Sequence, residues 1–173
     1  MIKNIFKIVS FLLAIVVASI LLYSSFHKKD PVSVVKANYD KKPLNFILEE
    51  TNDVVCKMLI RKKENSAQAV DKNGNTHFFN DPGCMVLWLN EQKDSINNYK
   101  LWIYTLDTHR WIDAKIAHYG IRDKTIMGYG FGARERKKRD SISFKEMYHR
   151  MITNQTLLNP KIRKSLLEDN YDK

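Results

Sequence analysis

Residues 54 to 90, VVCKMLIRKKENSAQAVDKNGNTHFFNDPGCMVLWLN, decide the fold. Val54–Ile60 reads as a strand and Ser66–Val70 as a second. Asp71-Lys-Asn-Gly-Asn75 is a turn whose Asn73-Gly74 pair suits positive φ, and Thr76–Phe79 closes a hairpin. Asp81-Pro82 then opens a helix, with Asp as N-cap and Pro where its missing N–H costs nothing. Met85, Trp88 and Leu89 give that helix one buried face, running to about Glu91.

A second round follows. Lys100–Leu106 (KLWIYTL) and Trp111–Tyr119 (WIDAKIAHY) read as strands around a tight turn at Asp107–Arg110. Thr125–Ala133, TIMGYGFGA, has three glycines in nine residues and reads as a bend or close backbone approach. Ser143-x-x-Glu146 is a capping box for a helix with Phe144, Met147, Tyr148, Met151 and Ile152 on one face, and Asn159-Pro160 opens a last short helix. The expected fold class is α+β: an N-terminal transmembrane anchor helix, a small domain of two tandem β-hairpin-plus-helix units, and a basic helical C-terminal tail. The expected divisions are 1–29 for a cytoplasmic stub and anchor, 30–52 for a tether with one strand around Asn45–Leu48, 53–133 for the domain, and 134–173 for the tail.

The anchor rests on Ile8–Phe26, 19 residues without a charge. At 1.5 Å per residue they reach about 28 Å, close to the hydrocarbon thickness of a bilayer. A cleavable signal has a shorter apolar run and a small-x-small site, whereas Leu22, Tyr23, Phe26 and His27 crowd the relevant positions. Lys3 and Lys7 before the run argue for a cytoplasmic N-terminus, although Lys28 and Lys29 after it weaken the asymmetry. With the N-terminus inside, the rest of the chain lies across the membrane, in an oxidising compartment if the source is bacterial.

Charge placement excludes a second class. The formal charge is +10 over 173 residues, but residues 30–133 hold 14 basic against 13 acidic groups. The excess sits in residues 1–29, with four Lys and no acid, and in 134–173, with 11 basic against 6 acidic. A nearly neutral domain lacks the general attraction for phosphate on which nucleic-acid binding rests.

The chemistry-bearing candidates are mostly sulfur side chains. On an extended strand Cys56 and Met58 share a face, and a thiolate beside a thioether selects Cu(I); buried apolar packing explains the same pair. Met127 lies in the glycine-rich bend. Cys84 and Met85 lie in the first turn of the Asp81-Pro82 helix, where the macrodipole favours the thiolate, so Cys84 is a reactive thiol, a ligand, or half of a disulfide with Cys56. His109 and His118 flank the second hairpin and are further imidazole candidates. The sequence has no Gly-x-Ser-x-Gly elbow, Walker A loop, Rossmann fingerprint or His-Glu-x-x-His, so an enzyme is not expected.

Taken together, CKM, SAQAV, FFNDPGCMVLWL, WIDAKIAHY and TIMGYGFGA resemble the NosL family of nitrous-oxide reductase accessory proteins, over about Val54–Ala133. The resemblance implies a periplasmic, membrane-attached Cu(I)-binding metallochaperone that delivers copper to apo nitrous-oxide reductase or another copper-assembly protein. It places the family's Cys-x-Met motif on Cys56 and Met58 and its Met-Gly motif on Met127 and Gly128. Lys57 stands where the family commonly has Gly, and Ile126 where it commonly has Pro. No Cys precedes Cys56 to carry a lipid, so the apolar helix is expected to serve as the anchor, in the inner membrane. Two other functions compete: a thiol-disulfide oxidoreductase using Cys56 and Cys84, and a metal-free, membrane-tethered interaction subunit using Arg134–Arg139 and the Phe144–Ile152 face.

Overall fold

The computed structural model describes residues 2–26 and 30–168. The chain forms two compact units, one up to residue 30 and one from residue 31 onward. The first unit contains α1 (Ile2–Phe26), whose Phe6–Tyr23 window has a mean hydropathy of 2.4 and no buried share. A helix this long and apolar serves as a membrane anchor or as a signal sequence.

The second unit is built on a five-stranded antiparallel sheet. Its strands are β1 (Val34–Val35), β2 (Ala67–Val70), β3 (Thr76–Phe79), β4 (Lys100–Tyr104) and β5 (Trp111–Asp113), in the order β1-β3-β2-β4-β5. Register aligns Ala69 with His77 on one side and Leu101 on the other, and Ala67 with Phe79 and Ile103. Period two therefore sends Ala67, Ala69, Phe79, Leu101 and Ile103 to one face, all of them fully buried. Two alanines on the central strand leave room for α2 (Pro82–Glu91), which packs there through Met85, Val86 and Leu89. Trp88 lies 4.4 Å from the His77 ring and 5.4 Å from Tyr99, closing that layer at the side.

The other face is covered by residues expected as a tether. Gln68, with no exposed surface, accepts from the amide of Leu44 at 2.9 Å and donates to its carbonyl at 2.8 Å. Trp102 Nε1 donates to the Lys41 carbonyl at 2.9 Å, and Phe46 meets Phe78 and Trp111 edge-on. Residues 38–48 are thus a strap bolted to the sheet, and no strand forms at Asn45–Leu48. The hairpin turn forms as expected, with Asp71 Oδ1 accepting from Asn73 and Asn75, but only Gly74 of the Asn-Gly pair takes positive φ, at 78°.

Three further expectations change. Trp111–Tyr119 is not one strand. β5 ends at Asp113, whose side chain accepts from the Lys115 amide and starts a turn. His118–Tyr119 (β6) instead pairs with Ala133–Arg134 (β7) in a second, two-stranded sheet. The hairpins do not form separate tandem units either. β2 and β4 pair directly, so both belong to one sheet, and the second hairpin is followed by β6, β7 and the glycine-rich bend before any helix. Finally, the C-terminal segment is not a detached tail: α3 (Phe144–Ile152) packs on α2, and Phe144, Met147 and Met151 are buried in the same core.

Ser143 caps α3 by accepting from the Glu146 amide at 3.2 Å. Glu146 does not close the capping box; its carboxylate takes Arg150 Nε at 2.8 Å one turn on. α4 (Pro160–Glu168) begins where Asn159-Pro160 predicts. Because Met147 is fully buried, Met147→Ala is expected to lower unfolding free energy by about 2–5 kcal/mol. Urea denaturation monitored by tryptophan fluorescence reads this, and an unchanged midpoint would make α3 dispensable to the core.

Candidate metal centre

Asp53 builds the site. It has no exposed surface, and Oδ1 accepts from the amides of Val55 and Cys56 at 2.7 and 3.0 Å while Oδ2 accepts from the Asn80 amide at 2.8 Å. Its backbone closes the loop as well: the Asp53 amide donates to the Met58 carbonyl at 2.9 Å, and the Lys57 amide donates to the Asp53 carbonyl at 3.0 Å. The predicted strand over Val54–Ile60 is therefore absent, and 53–58 is a tight loop. A side chain that accepts amides two and three residues ahead competes with a strand ladder and wins here, because Val54 and Asn80 tie the loop to the end of β3. Lys57 takes φ 62°, a region that favours glycine.

As a result Cys56 and Met58 do not share a strand face. Cys56 turns inward, and its Sγ, the Cys84 Sγ and an Asp53 carboxylate oxygen all lie within 4.8 Å of one another. Met58 is 42% exposed and lines a groove with Leu59, Arg61, Asn80 and Ile126. Among the described residues, Asp53, Cys56 and Cys84 are the group of His, Cys, Asp or Glu ligand atoms close enough to hold one metal ion. The sequence reading missed Asp53; its signal was an Asx residue placed just before an apolar run, a turn pattern where a strand was expected.

Cys84 is in the first turn of α2, which Asp81 caps by accepting from the Gly83 amide at 2.8 Å. Asp81 Oδ2 also accepts from the Met127 amide at 3.2 Å, so the glycine-rich bend is fastened to the same helix end. Gly128 and Gly130 take φ 74° and 99° within that bend. Tyr129 lies against Gly83 so closely that a Cβ there would stand 2.3 Å from the ring. Loop 53–58, the start of α2 and the bend at 125–130 therefore converge, carrying Cys56, Cys84 and Met127.

The remaining candidates lie elsewhere or take other roles. Met85 is fully buried in the core between α2 and the sheet. His109, at φ 50° in the β4–β5 connection, lies 3.5 Å from the Glu64 carboxylate. His118 is on β6 opposite Arg134. Neither histidine joins the cysteines.

Electrostatics reverse one expectation. The helix N-terminus does not lower the Cys84 thiol. Burial pushes its pKa far up, and the charges of Asp53 and Asp81 add to the rise. A macrodipole contributes about 0.3–1 kcal/mol, whereas full burial moves a pKa by up to about 3–5 units, so desolvation wins. Burial raises Cys56 too, helped by the Asp53 carboxylate and opposed by a hydrogen bond from the Met58 backbone. Burial also raises the Asp81 carboxyl, against the hydrogen bonds from Thr125, Gly83 and Met127, and pushes Tyr129 up to about 12. Burial thus pushes both thiols and the Asp81 carboxyl toward their protonated forms. Both cysteines are free thiols in this structure.

No protein-family model matches the chain, and comparison with characterised proteins finds no match.

Two outcomes test this geometry. Iodoacetamide is expected to label half-buried Cys56 before Cys84, with a rate still rising above pH 9.0, the ordinary thiol value, because the reactive thiolate forms only above a raised pKa. Peptide mapping by mass spectrometry follows both sites, and a plateau below that pH would contradict the burial. Gly83→Ala is expected to cost about 1–3 kcal/mol through its clash with Tyr129. Thermal melts would show part of that loss restored by adding Tyr129→Leu.

Proposed function

We propose that this protein is a membrane-anchored, periplasmic Cu(I) metallochaperone of the NosL type, delivering copper to apo nitrous-oxide reductase or another copper-assembly protein. The observation that carries this reading is the pair of thiols, within 4.8 Å of each other, at the junction of three chain segments. Soft sulfur donors suit Cu(I). Asp53 already accepts three amides, so it acts as buried counter-charge and loop brace while sulfur supplies the ligands. Cys56 and Cys84 hold the ion as thiolates, Met127 adds a thioether from the bend, and Met58 offers another at the groove. Cys84 thus joins the trio of Cys56, Met58 and Met127 that the family resemblance implies. The positive φ of Lys57 supports the resemblance independently, since that is the position where the family commonly has Gly.

Copper here is cargo. Binding displaces the thiol protons, so loading releases protons and strengthens as pH rises. A site of a few soft donors can exchange its ion with an incoming ligand of the recipient.

The same proximity favours a second reading, a thiol-disulfide oxidoreductase in which Cys56 and Cys84 pair reversibly. One experiment separates them. The reduced full chain in detergent, titrated with Cu(I) against a chromogenic chelator, is expected to bind one ion, and Cys56→Ser and Cys84→Ser each to weaken binding by at least about tenfold. X-ray absorption should show sulfur ligation. Full affinity in both serine variants, together with turnover of a Cys56–Cys84 disulfide in a glutathione buffer, would replace the chaperone with the oxidoreductase.

A further inference from the structure

Away from the thiols, the loop after β7 carries Arg136, Lys137, Lys138 and Arg139, four consecutive exposed cations. Among the described residues none of the four has an acidic side chain within ion-pair distance. The neighbouring acids are committed elsewhere. Asp107 accepts the amides of Glu135 and Arg136 at 3.0 Å each, Glu135 holds Arg110 and accepts from Thr108, and Asp123 clamps the Arg134 guanidinium at 2.6 and 2.5 Å. The loop is therefore pinned at its base while its charge is left to solvent. Beside it lies a groove whose walls carry Arg122, Lys138 and Arg139 against Asp140, together with the mutually paired Arg134 and Asp123.

We propose that this face binds an anionic phospholipid surface, one headgroup phosphate seating in the groove while Arg136–Arg139 lie against neighbouring headgroups. The chemistry is that of guanidinium and ammonium groups with phosphate oxygens. Composition favours a lipid over a protein partner. The stretch Ala133–Asp140, ARERKKRD, contains no aromatic or large aliphatic side chain to anchor a shaped protein interface, whereas a charged bilayer asks only for clustered cations. The inference rests on reading α1 as an anchor, since a membrane-bound chain meets its own bilayer at high effective concentration. It is independent of copper.

The test uses the full chain in nanodiscs of neutral phosphatidylcholine, with and without phosphatidylglycerol, and amide hydrogen exchange over residues 134–142. Exchange is expected to slow several-fold in the anionic discs. The protection should vanish at about 0.5 M salt, where the Debye length is a few ångströms, and in Lys137→Glu/Lys138→Glu/Arg139→Glu with an unchanged melting temperature. Equal exchange in both kinds of disc overturns the proposal. Protection in neutral discs on adding millimolar inorganic phosphate alone overturns it in favour of a free anion, and protection appearing only with an added polyglutamate probe overturns it in favour of an acidic protein. If the chain fails to enter neutral discs, the anchor reading fails separately, and salt-reversible protection by anionic discs would still support the lipid contact.

Discussion

Asp53 is a carboxylate with no exposed surface, and its two oxygens take the amides of Val55, Cys56 and Asn80. A polar group cannot be left without partners in such a place, so the chain around it bends to supply donors. That bend turns 53–58 into a loop, directs Cys56 inward, and leaves Met58 on the rim. Cys84 enters the same space because Asp81, another fully buried carboxylate, caps α2. The position of both sulfurs is thus a consequence of how two acids are satisfied.

Those two acids also act on the thiols. Burial of the thiols themselves pushes both pKa values up, with the Asp53 charge adding at each and the Asp81 charge adding at Cys84. The helix end, which in isolation favours a thiolate, is overruled because desolvation is the larger effect. The same space brings two polarizable sulfurs together beside a bend fastened to Asp81 through the Met127 amide.

The sheet makes this arrangement possible by having both faces covered. Ala67 and Ala69 let α2 approach closely on one side, and α3 closes over α2 with Phe144, Met147 and Met151. On the other side the strap at 38–48 uses Gln68 and Trp102 as attachment points. Packing thereby fixes the start of α2 against the end of β3, the place where the three sulfur-bearing segments meet.

Local patterns alone determined the apolar helix of α1, the Ala67–Phe79 hairpin with its Asp-x-x-Gly turn, the Asp81-Pro82 helix start, the Ser143 cap and the start of α4. Each depends on contacts within a few residues, so each is legible in order along the chain. Cys56 and Cys84 were legible as residue types, but not as neighbours of Asp53. Only the tertiary structure decided that Val54–Ile60 is a loop, that the supposed tether straps the sheet while α3 of the supposed tail packs into the core, and that Cys84 lies beside Cys56. Those outcomes depend on Asn80 meeting Asp53 across 27 residues, Leu44 meeting Gln68 across 24, and α3 meeting α2. Periodicity within a segment carries no information about which distant donor will satisfy a buried acid.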